Sequence, residues 1–105
     1  MYSIALICEV GASTGMVVRR MVAAAREVGI DAEIKAYPFS QIELVLEAYD
    51  YVLLGPQMRF RLKQVRDEHP ESAGRVDVVA PMDFATMNGE KILKQAIAAI
   101  EALGA

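Results

Sequence analysis

The chain has 105 residues, of which 54% are hydrophobic and 24% are charged, and it carries a formal net charge of −3. These values correspond to a single domain, predicted over residues 1–105, and exclude disordered, collagenous and disulfide-scaffold proteins. The mild charge argues against a nucleic-acid partner, the single cysteine favours a reducing cytoplasm, and no segment has the roughly 20 apolar residues needed for direct membrane insertion.

Short apolar runs typical of buried strands alternate with longer segments of helical periodicity. Residues 4–8 are apolar on both faces and predict a first strand. A helix is predicted from about residue 14 to residue 28, because apolar side chains recur there at three- and four-residue spacing, and Gly29 is placed to end it. Residues 32–36 alternate as a strand that Pro38 ends.

The second half of the chain repeats this alternation. Ser40 is expected to cap a short helix that runs through Ala48, with Glu43 at the capping-box position. The later elements are predicted as a strand at 51–54, a helix at 57–67, a strand at 76–80 stopped by Pro81, and a helix at 88–103 capped by Asn88.

The order βαβαβαβα predicts the fold class. Parallel strands need crossover connections, so we expect an α/β protein with an open four-stranded parallel sheet and helices on both faces. This is the flavodoxin-like or Rossmann-like arrangement, with strand order 2-1-3-4. In such sheets ligands bind beyond the carboxyl ends of the strands. The loops at 8–14, 55–59 and 81–88 should therefore carry the functional residues.

Cys8 stands where the first strand should end, directly before a helix. Backbone N–H groups at a helix N-terminus lack internal partners and favour an anion, and the same positive end should lower the pKa of the Cys8 thiol. Gly11 allows a tight turn, and two hydroxyl groups add donors. The predicted phosphate-binding loop consists of Glu9, Val10, Gly11, Ala12, Ser13 and Thr14. The alternative is that Cys8 is simply a small buried hydrophobe.

A cysteine phosphatase of low molecular weight is the natural competitor. Such enzymes carry an arginine six positions after the cysteine, where it clamps the phosphate, but Thr14 holds that position here. Without the guanidinium, hydrolysis loses a main source of charge stabilisation. The loop therefore suits a phosphoryl carrier better than a hydrolase.

Three motifs in this order resemble a known family along nearly the whole chain. They are CxxGxST at residues 8–14, VLLGPQ at 52–57 and MNGEKI at 87–92. The chain resembles the IIB component of the lactose/cellobiose-type phosphotransferase system. The resemblance implies that Cys8 accepts a phosphoryl group from a histidine of the IIA component, forming phosphocysteine. The group then passes to a sugar, of the β-glucoside, cellobiose, lactose or chito-oligosaccharide class, held by the membrane-embedded IIC component. No metal or organic cofactor is implied.

The chain departs from the usual family pattern at several positions. Glu9 is acidic where a small or neutral residue is common, and we expect its side chain to point away, because a carboxylate facing the phosphate would repel it. Ala12, Gly15 and Phe84 replace a common methionine, serine and tyrosine. These changes leave the sugar and the particular IIA and IIC partners open.

The rim of the predicted site includes Gln57, Arg59, Asp83 and Phe84. Asp83 either orients the backbone in the site or caps a turn, and we prefer the turn. The third helix is basic through Arg59, Arg61, Lys63 and Arg66. Such a run is usually a solvated face, and the alternative is a docking patch for an acidic partner, with Arg59 its best functional candidate.

Other function classes find little support in the residues. A Cys–His hydrolase would need a histidine as base, and the only histidine, His69, lies in a polar loop far from Cys8. No metal-ligand spacing occurs. A non-catalytic phosphate-binding regulatory module remains: a flavin-binding domain would be yellow, and a receiver domain would need clustered aspartates where only Glu9 stands.

Overall fold

The computed structural model of the chain describes residues 1–9 and 12–104, with the backbone alone at position 12. Its four strands form one sheet in the order β2-β1-β3-β4, and every pairing is parallel. The strands are β1 (Tyr2–Ile7), β2 (Ala32–Tyr37), β3 (Tyr51–Leu54) and β4 (Val76–Val78). The predicted fold class and strand order are confirmed.

The described residues also contain five α-helices and three 3₁₀ segments, which connect the strands or follow the last one. The helices are α1 (Ala12–Glu27), α2 (Ile42–Ala48), α3 (Leu62–Glu68), α4 (Pro81–Ala85) and α5 (Gly89–Gly104). The 3₁₀ segments are Phe39–Gln41, Pro56–Arg61 and Pro70–Arg75. None of the helices in the described part of the chain has the length and apolarity to cross a bilayer.

The sheet buries both of its faces, because successive strand side chains alternate between them. On one face Ile4, Leu6 and Leu53 pack with residues of α1 and α5. On the other face Ala5 and Ile7 pack with residues of α2 and α3. Helices on both faces explain why residues 4–7 of β1 and all of β3 are apolar.

The predicted cap at Ser40 is wrong. Pro38 is followed by a 3₁₀ turn in which the Gln41 N–H donates to the Pro38 carbonyl at 3.1 Å. Ser40 lies inside that 3₁₀ turn, ahead of the N-cap position of α2. The helix begins at Ile42, its N-cap residue is Gln41, and no side chain caps it. The capping pattern was correct in spacing but not in backbone conformation.

Two further boundaries differ from the sequence predictions. The segment predicted as one helix at 57–67 is a 3₁₀ segment followed by α3, because Pro56 starts a tighter turn directly after β3. Pro81 does not simply end a strand but is the first residue of α4. Proline is tolerated there because the N–H groups of the first helical turn have no partner within the helix.

A tight turn at residues 86–88 joins α4 to α5. The Asn88 N–H donates to the Asp83 carbonyl at 2.8 Å, and the Met87 N–H donates to the Phe84 carbonyl at 3.0 Å. This is a Schellman turn with Met87 in the left-handed region at φ 51°, where glycine is usual. The Asn88 side chain then accepts from the Lys91 N–H at 3.1 Å, which confirms its predicted role as the cap of α5.

The backbone of α5 touches the backbone of α1 at Gly89. A methyl group built there would lie 2.4 Å from the carbonyl carbon of Arg20 and 2.5 Å from the nitrogen of Met21. Only glycine permits this approach, so α5 is held directly against the middle of α1.

Candidate functional site

Cys8 lies at the carboxyl edge of the sheet, one residue beyond β1. Its N–H donates to the Tyr37 carbonyl at 3.2 Å, which ties it to β2. On the other side the Gly55 N–H donates to the Ile7 carbonyl at 2.8 Å and continues the pairing of β1 with β3. The backbone at Cys8 is therefore held between two neighbouring strands.

The Cys8 sulfur packs against the α-carbon of Gly55. A methyl group at position 55 would lie 2.7 Å from Cys8 Sγ and 2.8 Å from Gln57 Oε1. The sulfur and the amide oxygen therefore both lie within 3 Å of the place where any residue other than glycine would have its β-carbon. The sequence placed Gly55 at the rim of the site only as part of a motif, and its contact with the sulfur shows why a side chain is absent.

A cavity of about 210 Å³ opens beside the thiol. It is lined by Cys8, Glu9, Ser13, Thr14, Gln57 and Phe84. The structure thus brings together six of the residues predicted from sequence, drawn from the ends of three different strands. Val10 and Gly11 of the predicted loop, and the side chain of Ala12, lie outside the described residues.

A larger open cleft of about 720 Å³ adjoins this cavity and shares Ser13, Gln57 and Phe84 with it. The cleft is lined further by Pro56, Arg59, Phe60, Pro81, Ala85 and Met87. Sequence reasoning identified Arg59 as a rim residue, left Phe60 open between the core and the docking surface, and used Met87 only as part of a motif. The sequence gives little indication that Met87 lines a cleft, because Asn-Gly after it predicts only a turn.

Two predicted residues lie away from the cavity. The Asp83 side chain, predicted at the rim, lines neither the cavity nor the cleft, and it is the Asp83 backbone carbonyl that accepts the Asn88 N–H in the Schellman turn. His69 follows α3 and also lines neither space, so it is not placed as a base for Cys8.

The pKa of the Cys8 thiol is raised above its ordinary value, which contradicts the prediction of a lowered pKa. Burial is the largest cause, since the residue is only 4% exposed and packs in the core. A hydrogen bond with the Thr14 side chain and one with the Gly55 backbone lower the pKa but do not offset the desolvation. The sequence shows the hydroxyl group but not how deeply the sulfur is covered.

Glu9 acts on the thiol more than the sequence suggested. Its side chain is exposed, yet the residue lines the cavity and its negative charge makes the smallest of four contributions to the Cys8 pKa, in the upward direction. The Glu9 side chain is exposed, as expected, but its charge still reaches the thiol.

The fold and the site define an α/β protein with one cysteine at the carboxyl edge of a parallel sheet, beside a small cavity with hydroxyl and amide groups. The family model described as "PTS system, Lactose/Cellobiose specific IIB subunit" matches residues 3–95. The chain therefore belongs to this family and is a subunit of a sugar phosphotransferase system, as the sequence motifs predicted.

Known relatives agree with the family match. The chain is 36% identical over 98 residues to the galactose-specific EIIB component of Lactococcus lactis subsp. cremoris, covering 89% of this chain and 91% of that protein. It is 32% identical over 97 residues to the oligo-beta-mannoside-specific EIIB component of Bacillus subtilis, covering 92% and 94%. The solution structure of the cellobiose-specific IIB component of Borrelia burgdorferi superposes with a TM-score of 0.82 at 35% identity, covering 96% of this chain and 93% of that one.

Proposed function

We propose that this IIB subunit carries the phosphoryl group on Cys8. It would take the group from a phosphohistidine of a IIA component in the cytoplasm and pass it to a sugar held by a membrane-embedded IIC component. The observation that supports this proposal is the cavity at the end of β1, where the sulfur faces a hydroxyl at Thr14 and an amide at Gln57. Among the described residues, Cys8 is the only nucleophilic thiol.

The transfer step balances without an added acid or base. Because the Cys8 pKa is raised, the resting group at neutral pH is the thiol. As the phosphoryl group moves, the S–P bond forms and the P–N bond of the donor breaks. The thiol proton ends on the imidazole nitrogen that lost the phosphorus, so donor and acceptor finish neutral apart from the unchanged phosphoryl dianion.

The same surroundings favour keeping the phosphoryl group once it is bound. The Thr14 hydroxyl and the Gly55 backbone already interact favourably with negative charge at the sulfur, because both lower its pKa. No histidine lines the part of the cavity that the structure describes, so no imidazole is placed there to activate water. A thiol of high pKa is also a poorer leaving group, which slows loss of the phosphoryl group to water.

Both partners would approach from the carboxyl edge of the sheet. The open cleft lies there, and two large apolar side chains at this edge are exposed, Phe60 by 71% and Met82 by 73%. Phe60 follows β3 and Met82 follows β4, so they lie on the connections that also border the cleft. We expect IIA and IIC to contact this edge in turn. The relatives carry galactose, cellobiose and oligo-beta-mannoside names, and we expect a sugar of this β-linked or lactose-type range.

Incubation with a phosphorylated IIA component tests the proposal. We expect a mass increase of one phosphoryl group, localised to Cys8, that is stable in acid and labile to iodine. A Cys8→Ser variant should accept none, and a His69→Gln variant, the matched control for phosphohistidine on this chain, should behave as wild type. Acceptance by Cys8→Ser at the wild-type rate would contradict the proposal. Cys8-dependent turnover of an aryl phosphate would instead indicate a phosphatase.

A further inference from the structure

The cleft beside Cys8 contains a cation that the transfer chemistry above does not use. Arg59 lines the cleft, which shares Ser13, Gln57 and Phe84 with the Cys8 cavity. Its side chain is exposed, and within residues 1–9 and 12–104 its guanidinium makes no salt bridge. An arginine placed at the mouth of an anion site without a carboxylate partner has its charge available for that anion.

The other cations of the same segment are already engaged. Arg61 stacks over the Phe39 ring, with its guanidinium carbon 4.4 Å from the ring centroid. Lys63 Nζ lies 2.7 Å from Asp67 Oδ2 on the solvent side of α3. Arg66 donates to the Val76 carbonyl at 2.9 Å and so covers the edge of β4. These contacts give each neighbour a structural or surface role and distinguish Arg59 from them.

The backbone of Arg59 belongs to a segment that is anchored beside the Cys8 cavity. It belongs to the 3₁₀ segment Pro56–Arg61, in which the Met58 N–H donates to the Gly55 carbonyl at 2.9 Å and the Met58 side chain is buried. Two residues before Arg59 is Gln57, whose amide oxygen lies against the same point as the Cys8 sulfur. The segment that carries Arg59 is therefore anchored at the wall of the cavity.

We propose that Arg59 contacts the phosphoryl group while it moves between the donor and Cys8 and while it rests on Cys8. The inference depends on the proposed function and adds a residue to it. The loop after Cys8 has Thr14 where a cysteine phosphatase has its clamping arginine, so Arg59 supplies a guanidinium from the β3–α3 connection instead. A planar guanidinium can donate to two phosphoryl oxygens at once.

The charge balance of the site supports this role. The incoming phosphoryl group is a dianion, the chain is net −3, and Glu9, which lines the cavity and has an exposed side chain, adds negative charge near the sulfur. A cation in the adjoining cleft offsets this repulsion. The contact is electrostatic throughout, because the phosphoryl group keeps its charge as the P–N bond breaks and the S–P bond forms, and Arg59 gives up no proton.

Phosphorus NMR of the phosphocysteine protein provides a direct test. The resonance is titrated against pH in wild type, Arg59→Gln, Arg59→Lys and Lys63→Gln, all phosphorylated with the same IIA donor. Loss of a contacting cation should raise the pKa of the phosphoryl group, so the titration midpoint should move upward in Arg59→Gln. The transfer rate should fall roughly tenfold, the lower end of what a hydrogen bond between charged groups supplies. Arg59→Lys should lie between the two.

Lys63→Gln is the matched control, since it removes the same charge nearby from a side chain that is 87% exposed and paired with Asp67. It should leave both the midpoint and the rate at the wild-type values. A normal resonance whose midpoint is the same in Arg59→Gln and wild type would overturn the inference, even if transfer were slower. Absence of any phosphocysteine resonance in wild-type protein would instead contradict the proposed function on which the inference rests.

Discussion

Gly55 and Gly89 occupy positions where a methyl group would collide with a neighbour, but the neighbours differ in kind. At Gly89 the colliding atoms belong to the backbone of α1, at 2.4 and 2.5 Å. At Gly55 they are side-chain atoms, the Cys8 sulfur at 2.7 Å and the Gln57 amide oxygen at 2.8 Å. The first contact fixes the packing of two helices, and the second leaves room for the reacting atom.

This difference shows that stability and reactivity depend on separate close contacts in the chain. Backbone atoms inside a helix cannot move aside without repacking the helix, so a side chain at Gly89 has no inexpensive relaxation. The amide of Gln57 can rotate away, whereas the Cys8 sulfur is on a short side chain whose backbone is hydrogen-bonded to β2 and follows directly from β1. A side chain at Gly55 should therefore disturb the site more than the fold.

The largest expected effect is on stability at the helix contact. Gly89→Ala should lower the free energy of unfolding by about 3 kcal/mol, the upper part of the range for overpacked positions. Urea unfolding measures it. Gly15→Ala is the matched control, because its methyl group would meet only the tip of Arg19 at 3.8 Å in α1, and alanine there should stabilise the helix. Equal stability of Gly89→Ala and wild type would show that the two helices can separate freely.

The second prediction concerns the contact at the sulfur. Gly55→Ala should slow phosphoryl transfer to Cys8 on the order of a hundredfold, because a displacement of about 1 Å at a reacting atom has that consequence. Unfolding should change by only about 1 kcal/mol, since Gln57 can move. Single-turnover transfer from a phosphorylated IIA donor, measured beside urea unfolding, separates the two. A large loss of stability with normal transfer would reverse the comparison.

The third prediction concerns the hydrogen bond at Thr14. Thr14→Val removes a contact that lowers the Cys8 pKa, so the pKa should rise further and the thiolate fraction at neutral pH should fall. The rate of thiol alkylation should drop about fivefold, the effect of one hydrogen bond. The pH profile of iodoacetamide alkylation measures this, with Thr14→Ser as the control that keeps the hydroxyl. A faster reaction in Thr14→Val would mean that desolvation there is relieved instead.

The smallest expected effect comes from Glu9. Its charge raises the Cys8 pKa, so Glu9→Gln should lower the pKa and speed alkylation, by about twofold at an exposed position. The difference between variant and wild type should shrink in high salt, because exposed charges are screened. A difference that persists at 1 M salt would place the carboxylate inside the cavity.

Much of the fold follows from local patterns in the sequence. The apolar strands, the βαβ alternation and the cap at Asn88 depend on neighbouring residues, and the structure confirms them. The predicted cap at Ser40 was wrong because the same order of residue types fits both a proline-led 3₁₀ turn and the first turn of an α-helix. The two differ in their backbone hydrogen bonds, which the sequence does not show. The same reason explains why the segment after Pro56 is not one helix.

The electrostatic state of the site could not be predicted in the same way. The helix start and the hydroxyl group at Thr14 are visible in the sequence, and both suggested a lowered thiol pKa. The opposing effect is burial, which depends on how β1, Gly55 and the distant Phe84 surround the sulfur in three dimensions. Only coordinates show which of the two effects is larger.

Asn88 both closes the turn after α4 and caps α5, and this double role links two walls of the Cys8 cavity. The five-residue α4 carries the Phe84 wall, and it ends in the turn from which α5 starts. Because α5 in turn rests on α1, which carries the Ser13 and Thr14 wall, these two walls are joined through the contact at Gly89. The turn that follows β3 is joined to β1 instead, where the Gly55 N–H donates to the Ile7 carbonyl at 2.8 Å, so a side chain at position 89 should displace the first two walls and spare the third.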